Sequence, residues 1–313
     1  MTDFAAAQTV ATPSSAGGAG GPEREFTVEA RSYGRMVFRR FLRHKLALVS
    51  FVVLVLVVLL ALVGGRFWTY DYTQITDEYS TGPTLQHPFG TDGPGHDVFA
   101  QVLRGAQKSV QIMLVVAFLS TTIGVVLGAV AGYYRGFVDS ALMRFVDLIL
   151  TLPLLVIVAV LAVMVQDAKN WFLLAAILGL LVWTSLARIV RAEFLSLREK
   201  EYVEAARAIG ASDRRIIFRH ILPNVMGSII VSATLTMATA ILLETSLSFL
   251  GFGVQTPDTS LGKLVSDGQT AAITRPWLFY FPGLFIVVIV LCVNFVGDGL
   301  RDAFDPKQTR VRA

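Results

Sequence analysis

Six long apolar runs constrain this chain more than any other feature. Leu46–Val63 holds eighteen residues of which only Ser50 is polar, and similar runs follow at Val110–Tyr133, Phe145–Val165, Trp171–Val190, Val225–Leu250 and Trp277–Val296. A helix needs about 20 apolar residues to cross a hydrocarbon core of about 30 Å. In lipid every backbone N–H and C=O needs an internal partner, so helices are the default and open strands are excluded. A barrel would show short alternating segments instead of continuous runs. Charged residues make up 16% of the chain and hydrophobic residues 54%, against about 25% charged in a soluble domain. A soluble enzyme, a disordered tail protein and a disulfide scaffold are all excluded on that basis. The single cysteine, Cys292, lies inside an apolar run and can make neither an intrachain disulfide nor a multi-cysteine metal site. The expected fold is all-α, a polytopic membrane protein with six transmembrane helices.

Orientation follows from Lys and Arg. With a cytoplasmic N-terminus, the inner segments hold 21 basic residues and the outer segments six. That asymmetry predicts an N-in, C-in topology in a bacterial-type cytoplasmic membrane. The net charge of +4 then reflects topology, and no nucleic-acid partner is expected. Residues 1–30 are expected to be a disordered cytoplasmic tail, since the first 22 are rich in Ala, Gly, Ser, Thr and Pro and hold no apolar core. They lack the apolar region of a signal peptide. Residues 31–66 form an amphipathic elbow and the first span. In the elbow, Tyr33, Met36, Val37 and Phe41 share one face at the lipid surface and arginines occupy the other. An extracytoplasmic loop covers 67–108, a transmembrane core 109–300, and a cytoplasmic tail 301–313.

Between the fourth and fifth runs an inner stretch, Arg191–Asn224, reads as helix throughout. Within it, Glu201–Gly210 is followed by a segment ending in Leu222-Pro223-Asn224. Ala205, Ala206 and Ala208 favour helix, Gly210 suits a left-handed helix end, Ser212 or Asp213 can cap the next helix, and Pro223 fits the start of the fifth span. A short helix would therefore lie across the cytoplasmic mouth. Small Ala205 and Ala206 would let another surface approach, and Glu204, Arg207, Arg214, Arg215 and Arg219 would supply polar contacts at its rim.

Glu204-Ala205-Ala206, Gly210 and Leu222-Pro223 resemble the EAA loop of ABC importer permeases. The ending His220-Ile221-Leu222-Pro223-Asn224 is similar to the dipeptide/oligopeptide branch. Three further stretches extend the resemblance over about residues 35 to 306: His87–Asp92 with Gly95, Asp97, Val98, Arg104-Gly105-Ala106 and Ser109; Leu247–Gly253; and Gly297-Asp298 with Leu300–Asp302 and Asp305-Pro306. One departure stands out. The branch usually has Gly-Arg-Asp where this chain has Gly95-His96-Asp97, so no role of that arginine carries over.

The resemblance implies that the helix carrying Glu204, Ala205, Ala206, Arg207 and Gly210, with Arg214, Arg219, Leu222 and Pro223, docks on a separate ATPase. It implies a homologous permease partner, two ATPase subunits that bind ATP and Mg, an extracytoplasmic binding protein and a peptide-like cargo. It implies no cofactor in this chain and no catalysis by it. Glutathione, nickel chelates and haem stay open as cargo, because related permeases serve all of them. The residues themselves add a negative check. A P-loop needs Gly-x4-Gly-Lys-Ser/Thr, and the sole Gly-Lys, Gly262-Lys263, precedes Leu264. A gradient-driven secondary transporter would need inverted repeats and intramembrane ion ligands. No internal repeat is visible, and Glu244 is the only acidic residue deep in a run. A non-transporting scaffold would leave the long outer loop without a purpose.

Other features carry two readings each. Gly124, Gly128 and Gly132 make a flat stripe, for packing either within the chain or against a second permease. Glu244 is costly in lipid, on the order of 2.5–3.5 kcal/mol. Either it lines the translocation path with Ser248 and meets cargo, or it is hydrogen-bonded to a neighbouring helix, with Thr245, Ser246 and Ser248 near enough to satisfy it. Arg144 with Asp147, and Asp298 with Arg301, have the spacing of helical ion pairs. Pro153 and Pro282 are expected to kink their spans. His87, Asp92, His96 and Asp97 are chemically suited to a metal but match no common metal spacing, and a turn-rich gate or docking surface is preferred.

Overall fold

The computed structural model describes residues 33–164 and 170–304. The expected N-terminal tail, most of the C-terminal tail and Val165 lie outside the described residues. The described chain is helical, with two isolated bridges, Ile75 to His96 and Thr91 to Asp97. Four helices are long and apolar enough to cross a membrane, and six spans result when each of two bent helix pairs counts as one.

The elbow α1 (Tyr33–Phe41) is shorter than expected, because the chain turns at Leu42-Arg43 before α2 (Lys45–Phe67) begins. The Nδ1 of His44 caps α2 by accepting from the Ala47 N–H at 3.1 Å. The absence of a side chain at Gly299 lets Ala47 and Phe41 sit directly on the last helix. Most of α2 keeps its apolar side chains exposed, Leu46, Val49, Leu56 and Leu59 among them. A lipid surface accommodates that and water does not.

The central helix is α3 (Val98–Tyr134), 37 residues long, or roughly 55 Å at 1.5 Å per residue. It begins three turns earlier than the apolar run at Val110, so residues assigned to the outer loop are helical. The cause is Asp97. It sits at the N-cap with its carboxylate accepting from the Ala100 N–H at 2.7 Å.

The third span is broken into α4 (Gly136–Thr151) and α5 (Leu154–Met164), which diverge by 86°. Pro153 lacks an N–H and holds Leu152 in an extended conformation, φ −89° and ψ 136°, as residues before proline prefer. Pro282 acts differently. It lies inside the unbroken helix α12 (Trp277–Phe304). The fourth span comprises α6 (Trp171–Val182) and α7 (Thr184–Arg198), bent by 40° at Trp183.

Next come the inner helix α8 (Glu201–Ala208), one turn α9 (Asp213–Arg215), a π-helical segment Ile216–Ile221 and α10 (Leu222–Phe249). Pro223 lies in the first turn of α10, where it was expected to start the fifth span, although the backbone is already helical from Asp213. A proline cannot donate to the carbonyl four residues earlier and clashes with it. The π turn just before Pro223 relieves that clash by widening the helix. The short α11 (Leu261–Gly268) precedes α12.

Four buried clusters hold this bundle together, one of them packing Val146 of α4 against Trp183 and Ala187. An outer one joins α2, α3, α10, α11 and α12 around Val102, Leu261 and Ile289. A middle one joins α3, α5, α6 and α10 around Ile112, Leu178 and Leu247. An inner one, around Phe194, Val203, Ile216 and Ile221, fastens α8 beneath α3 and α7. The glycine stripe is spent on this packing. A Cβ at Gly128 would lie 2.5 Å from the Ala187 carbonyl oxygen on α7, and one at Gly132 would lie 2.6 Å from Phe194 Cβ.

Candidate functional site

On the inner side, α8 presents one buried and one open face. Val203 and Ala206 are buried against the inner cluster, while Glu204, Ala205, Arg207, Ala208 and Ile209 are exposed. Ala206 therefore packs within its own chain, contrary to the expectation that it offers close approach to another surface. Ala205 alone of the pair does so. The helix ends in a Schellman motif: the Gly210 N–H donates to Arg207 O, and the Ala211 N–H donates to Ala206 O, both at 3.0 Å. Gly210 has φ +83°, and nothing lies within 4 Å of where its Cβ would be. Its glycine is thus required by backbone conformation and not by crowding within this chain. Arg214, Arg219 and Pro223 are exposed beyond it, Leu222 is half-buried, and Phe218 shows 62% of its surface. Ser212 is the N-cap of α9, but its side chain makes no capping hydrogen bond.

Long-range bonds secure α8 to the bundle. The Tyr133 hydroxyl at the inner end of α3 donates to Asp213 Oδ1 at 2.6 Å, with the Arg207 guanidinium beside it. Arg198 donates to the Tyr133 carbonyl and lies over the Tyr133 ring, 5.5 Å from its centre. Arg191 on α7 grips Asp139 on α4 in a bidentate pair, at 2.5 and 2.6 Å. These partners stand 52 to 80 residues apart, so no sequence pattern announces them.

The two expected helical ion pairs do not form among the described residues. Asp147 binds Arg188 on α7 instead of Arg144, and Asp302 approaches His44 at 3.6 Å while Asp298 and Arg301 remain exposed without a salt bridge to each other. A basic residue presented across a helix interface outcompetes one a turn away on the same helix.

Glu244 has no exposed surface. Its Oε1 accepts from Ser248 Oγ at 2.9 Å and from Ser260 Oγ at 2.5 Å. Ser260 in turn caps α11 by accepting from the Lys263 N–H, and the Leu261 N–H donates to Ser109 Oγ on α3. Of the two readings the sequence left open, the geometry is that of the hydrogen-bonded one. The carboxylate ties α10 to the start of α11, and in this conformation no cargo group can reach it or the buried Ser248. Thr245 and Ser246 do not satisfy it. Their hydroxyls bond back to Ile241 O and Leu242 O.

The outer segment is ordered. His87 Nδ1 meets Asp97 Oδ2 at 2.6 Å in a buried pair, and His96 Nδ1 meets Asp92 Oδ2 at 2.9 Å. The four residues form two separate pairs and do not converge. Phe89 stacks on Phe281 of α12 with ring centres 4.1 Å apart, and Trp277 donates to Thr91 O. Asp258, between α10 and α11, takes Arg104 and Lys108 at 2.8 Å each. Burial pushes its carboxyl up, but the hydrogen bonds from Lys108 and Arg104 outweigh that and hold it below the ordinary carboxylate value.

A bundle of broken and unbroken spans, with a short helix held under its inner face and an ordered outer cap, defines a multi-pass membrane permease subunit. The chain belongs to the family of binding-protein-dependent transport system inner membrane components, whose sequence pattern matches residues 124–310. Residues 32–88 match the N-terminal transmembrane domain of oligopeptide transport permease C.

Among its relatives, the oligopeptide transport system permease protein OppC of Mycobacterium tuberculosis is 42% identical over 285 residues, covering 91% of this chain and 98% of that protein. The OppC protein of Bacillus subtilis is 39% identical, covering 92% and 94%. The dipeptide transport system permease protein DppC of Alkalihalophilus pseudofirmus is 37% identical, covering 91% and 93%. A chain of the MetNI methionine ABC transporter in an inward-facing conformation superposes with a TM-score of 0.52 at 19% identity, over 66% of this chain and 98% of that one. That likeness shows the fold alone.

Proposed function

We propose that this chain is one permease half of an ATP-driven importer for di- and oligopeptides. The observation that carries the reading is α8. It is an eight-residue helix fixed to the bundle by Val203, Ala206 and the Tyr133–Asp213 bond, with Glu204, Ala205, Arg207 and Gly210 left open on its far side. Such a segment transmits force between a docked ATPase and the inner ends of α3, α7 and α10. Arg214, Arg219, Leu222 and Pro223 continue that surface. The peptide class is taken from the names of relatives such as the oligopeptide and dipeptide permeases described above. ATP and Mg bind on two partner ATPases, a homologous permease completes the pathway, and an extracytoplasmic binding protein delivers cargo to the cap formed by residues 67–97.

The test is reconstitution of the chain with its partner permease, ATPases and binding protein in proteoliposomes, followed by ATP-dependent uptake of a labelled tripeptide. Accumulation of tripeptide over glutathione, nickel chelate and haem is expected. Uptake driven by an ion gradient without ATP would contradict the proposal.

A further inference from the structure

One face of α10 carries Ser232, Leu235, Thr236 and Thr239, at the i, i+3, i+4, i+7 positions that a helix brings together. They border a cavity of about 560 Å³. Both broken spans open onto the same cavity. Leu152 and Leu154 flank it at the α4–α5 break, and Val182, Thr184 and Ser185 flank it at the α6–α7 break. Irregular backbone at membrane depth is tolerated where it is buried in protein or lines a water-filled cavity, and discontinuous helices border substrate sites in membrane transporters.

The lining is mostly aliphatic, interrupted by hydroxyls, and carries no charge. It has hydroxyls from Thr184, Ser185, Ser232, Thr236 and Thr239 and no Asp, Glu, Lys, Arg or His. Thr236 and Thr239 donate to Ser232 O and Leu235 O on their own helix, which leaves their oxygens free to accept. Thr184 is only 2% exposed, and Ser185 and Ser232 border the same cavity.

Resting on the reading of the chain as a peptide permease, we infer that this hydroxyl-lined cavity is the chain's half of the peptide path. Its acceptors and donors match the N–H and C=O groups of a passing peptide backbone. Neutral hydroxyls read the backbone and ignore side-chain charge, so this wall admits acidic, basic and neutral peptides alike. The cargo-contacting role moves from Glu244, sealed at the outer end, to Ser232, Thr236 and Thr239 at mid-span.

The experiment uses the complete transporter in proteoliposomes with three tripeptides of equal size, one acidic, one basic and one neutral. The double variant Thr236→Val with Thr239→Val keeps side-chain shape and removes two hydroxyls. It is expected to lower uptake of all three by about tenfold, with assembly and basal ATP hydrolysis unchanged. Ser232→Asp is expected to split them, with acidic uptake falling about tenfold relative to basic. Unchanged uptake in both variants would overturn the inference while leaving the peptide function intact. Loss of the partner permease on purification of the double variant would also overturn it, by making this face a subunit contact. Failure of the unaltered transporter to import any of the three would refute the peptide reading itself and this inference with it.

Discussion

The Tyr133 hydroxyl at the inner end of α3 donates to Asp213, which opens the helical stretch behind α8, across 2.6 Å. With Arg207 beside it, this bond joins α3 to the segment that carries Gly210 and Arg214. Any tilt of α8 is therefore felt by α3 without passing through the membrane-embedded packing.

Tyr133→Phe keeps the ring under Arg198 and removes only the hydroxyl's contacts with Asp213 and Arg207. A hydrogen bond of this kind contributes about 1 kcal/mol, or about fivefold in an equilibrium. The variant should reach the membrane at the normal level, hydrolyse ATP in complex, and import less peptide per ATP by a few-fold. The ratio of uptake to phosphate release measures this.

Gly210 is needed for its φ of +83° and not for space. Forcing an ordinary residue into the left-handed region costs about 1–2 kcal/mol, so Gly210→Ala and Gly210→Val should unwind the end of α8 and abolish uptake with the protein still in the membrane. Asparagine tolerates that conformation. Gly210→Asn should restore most of the uptake, which a steric requirement would not allow. Uptake by the three variants side by side decides between them.

Gly128 has the opposite reason for being glycine. Its missing Cβ admits the α7 backbone at Ala187. Gly128→Val should force α3 and α7 apart, cost about 1–3 kcal/mol, and lower the melting temperature of the detergent-solubilised complex. Gly65, which has nothing within 4 Å of its Cβ position, should accept alanine with no such change.

Asp258 should make stability pH-dependent on the outer side. Its pKa is lower folded than unfolded, so its contribution is complete above the unfolded value of about 3.9. It is lost as pH falls below that value through the folded one. Lys108, 7% exposed, relies on it. Asp258→Asn should destabilise by about 1–3 kcal/mol at neutral pH and flatten the acid limb of the melting profile. Asp267→Asn, which breaks an exposed pair with Lys263, should cost at most about 1 kcal/mol.

How far the sequence could be read depended on how local the cause was. The Gly210 helix end and the six runs rest on neighbouring residues and were legible. The early start of α3 was not, because Arg104, Gln107 and Lys108 interrupt its apolar pattern, although Asp97 could have been read as its cap. The 86° break was underestimated as a kink. Pro153 alone marks a bend, and its size depends on α5 finding α6 and α10. The Arg144–Asp147 pair failed because Arg188, 41 residues from Asp147, arrives on α7. The Ser232, Thr236 and Thr239 spacing was visible in the sequence. Only the cavity between two broken helices gives it meaning.

The most direct test of the account is a cross-link from Ala205. Cys292 is buried, so Ala205→Cys adds one accessible thiol on the open face of α8. With a short cysteine-to-lysine cross-linker in inner-membrane vesicles, the account predicts an adduct with the ATPase subunit whose yield changes when ATP is added. It also predicts no labelling of that thiol by an impermeant reagent applied from outside the cell. Labelling from outside, or a thiol that joins no ATPase with or without nucleotide, would contradict it.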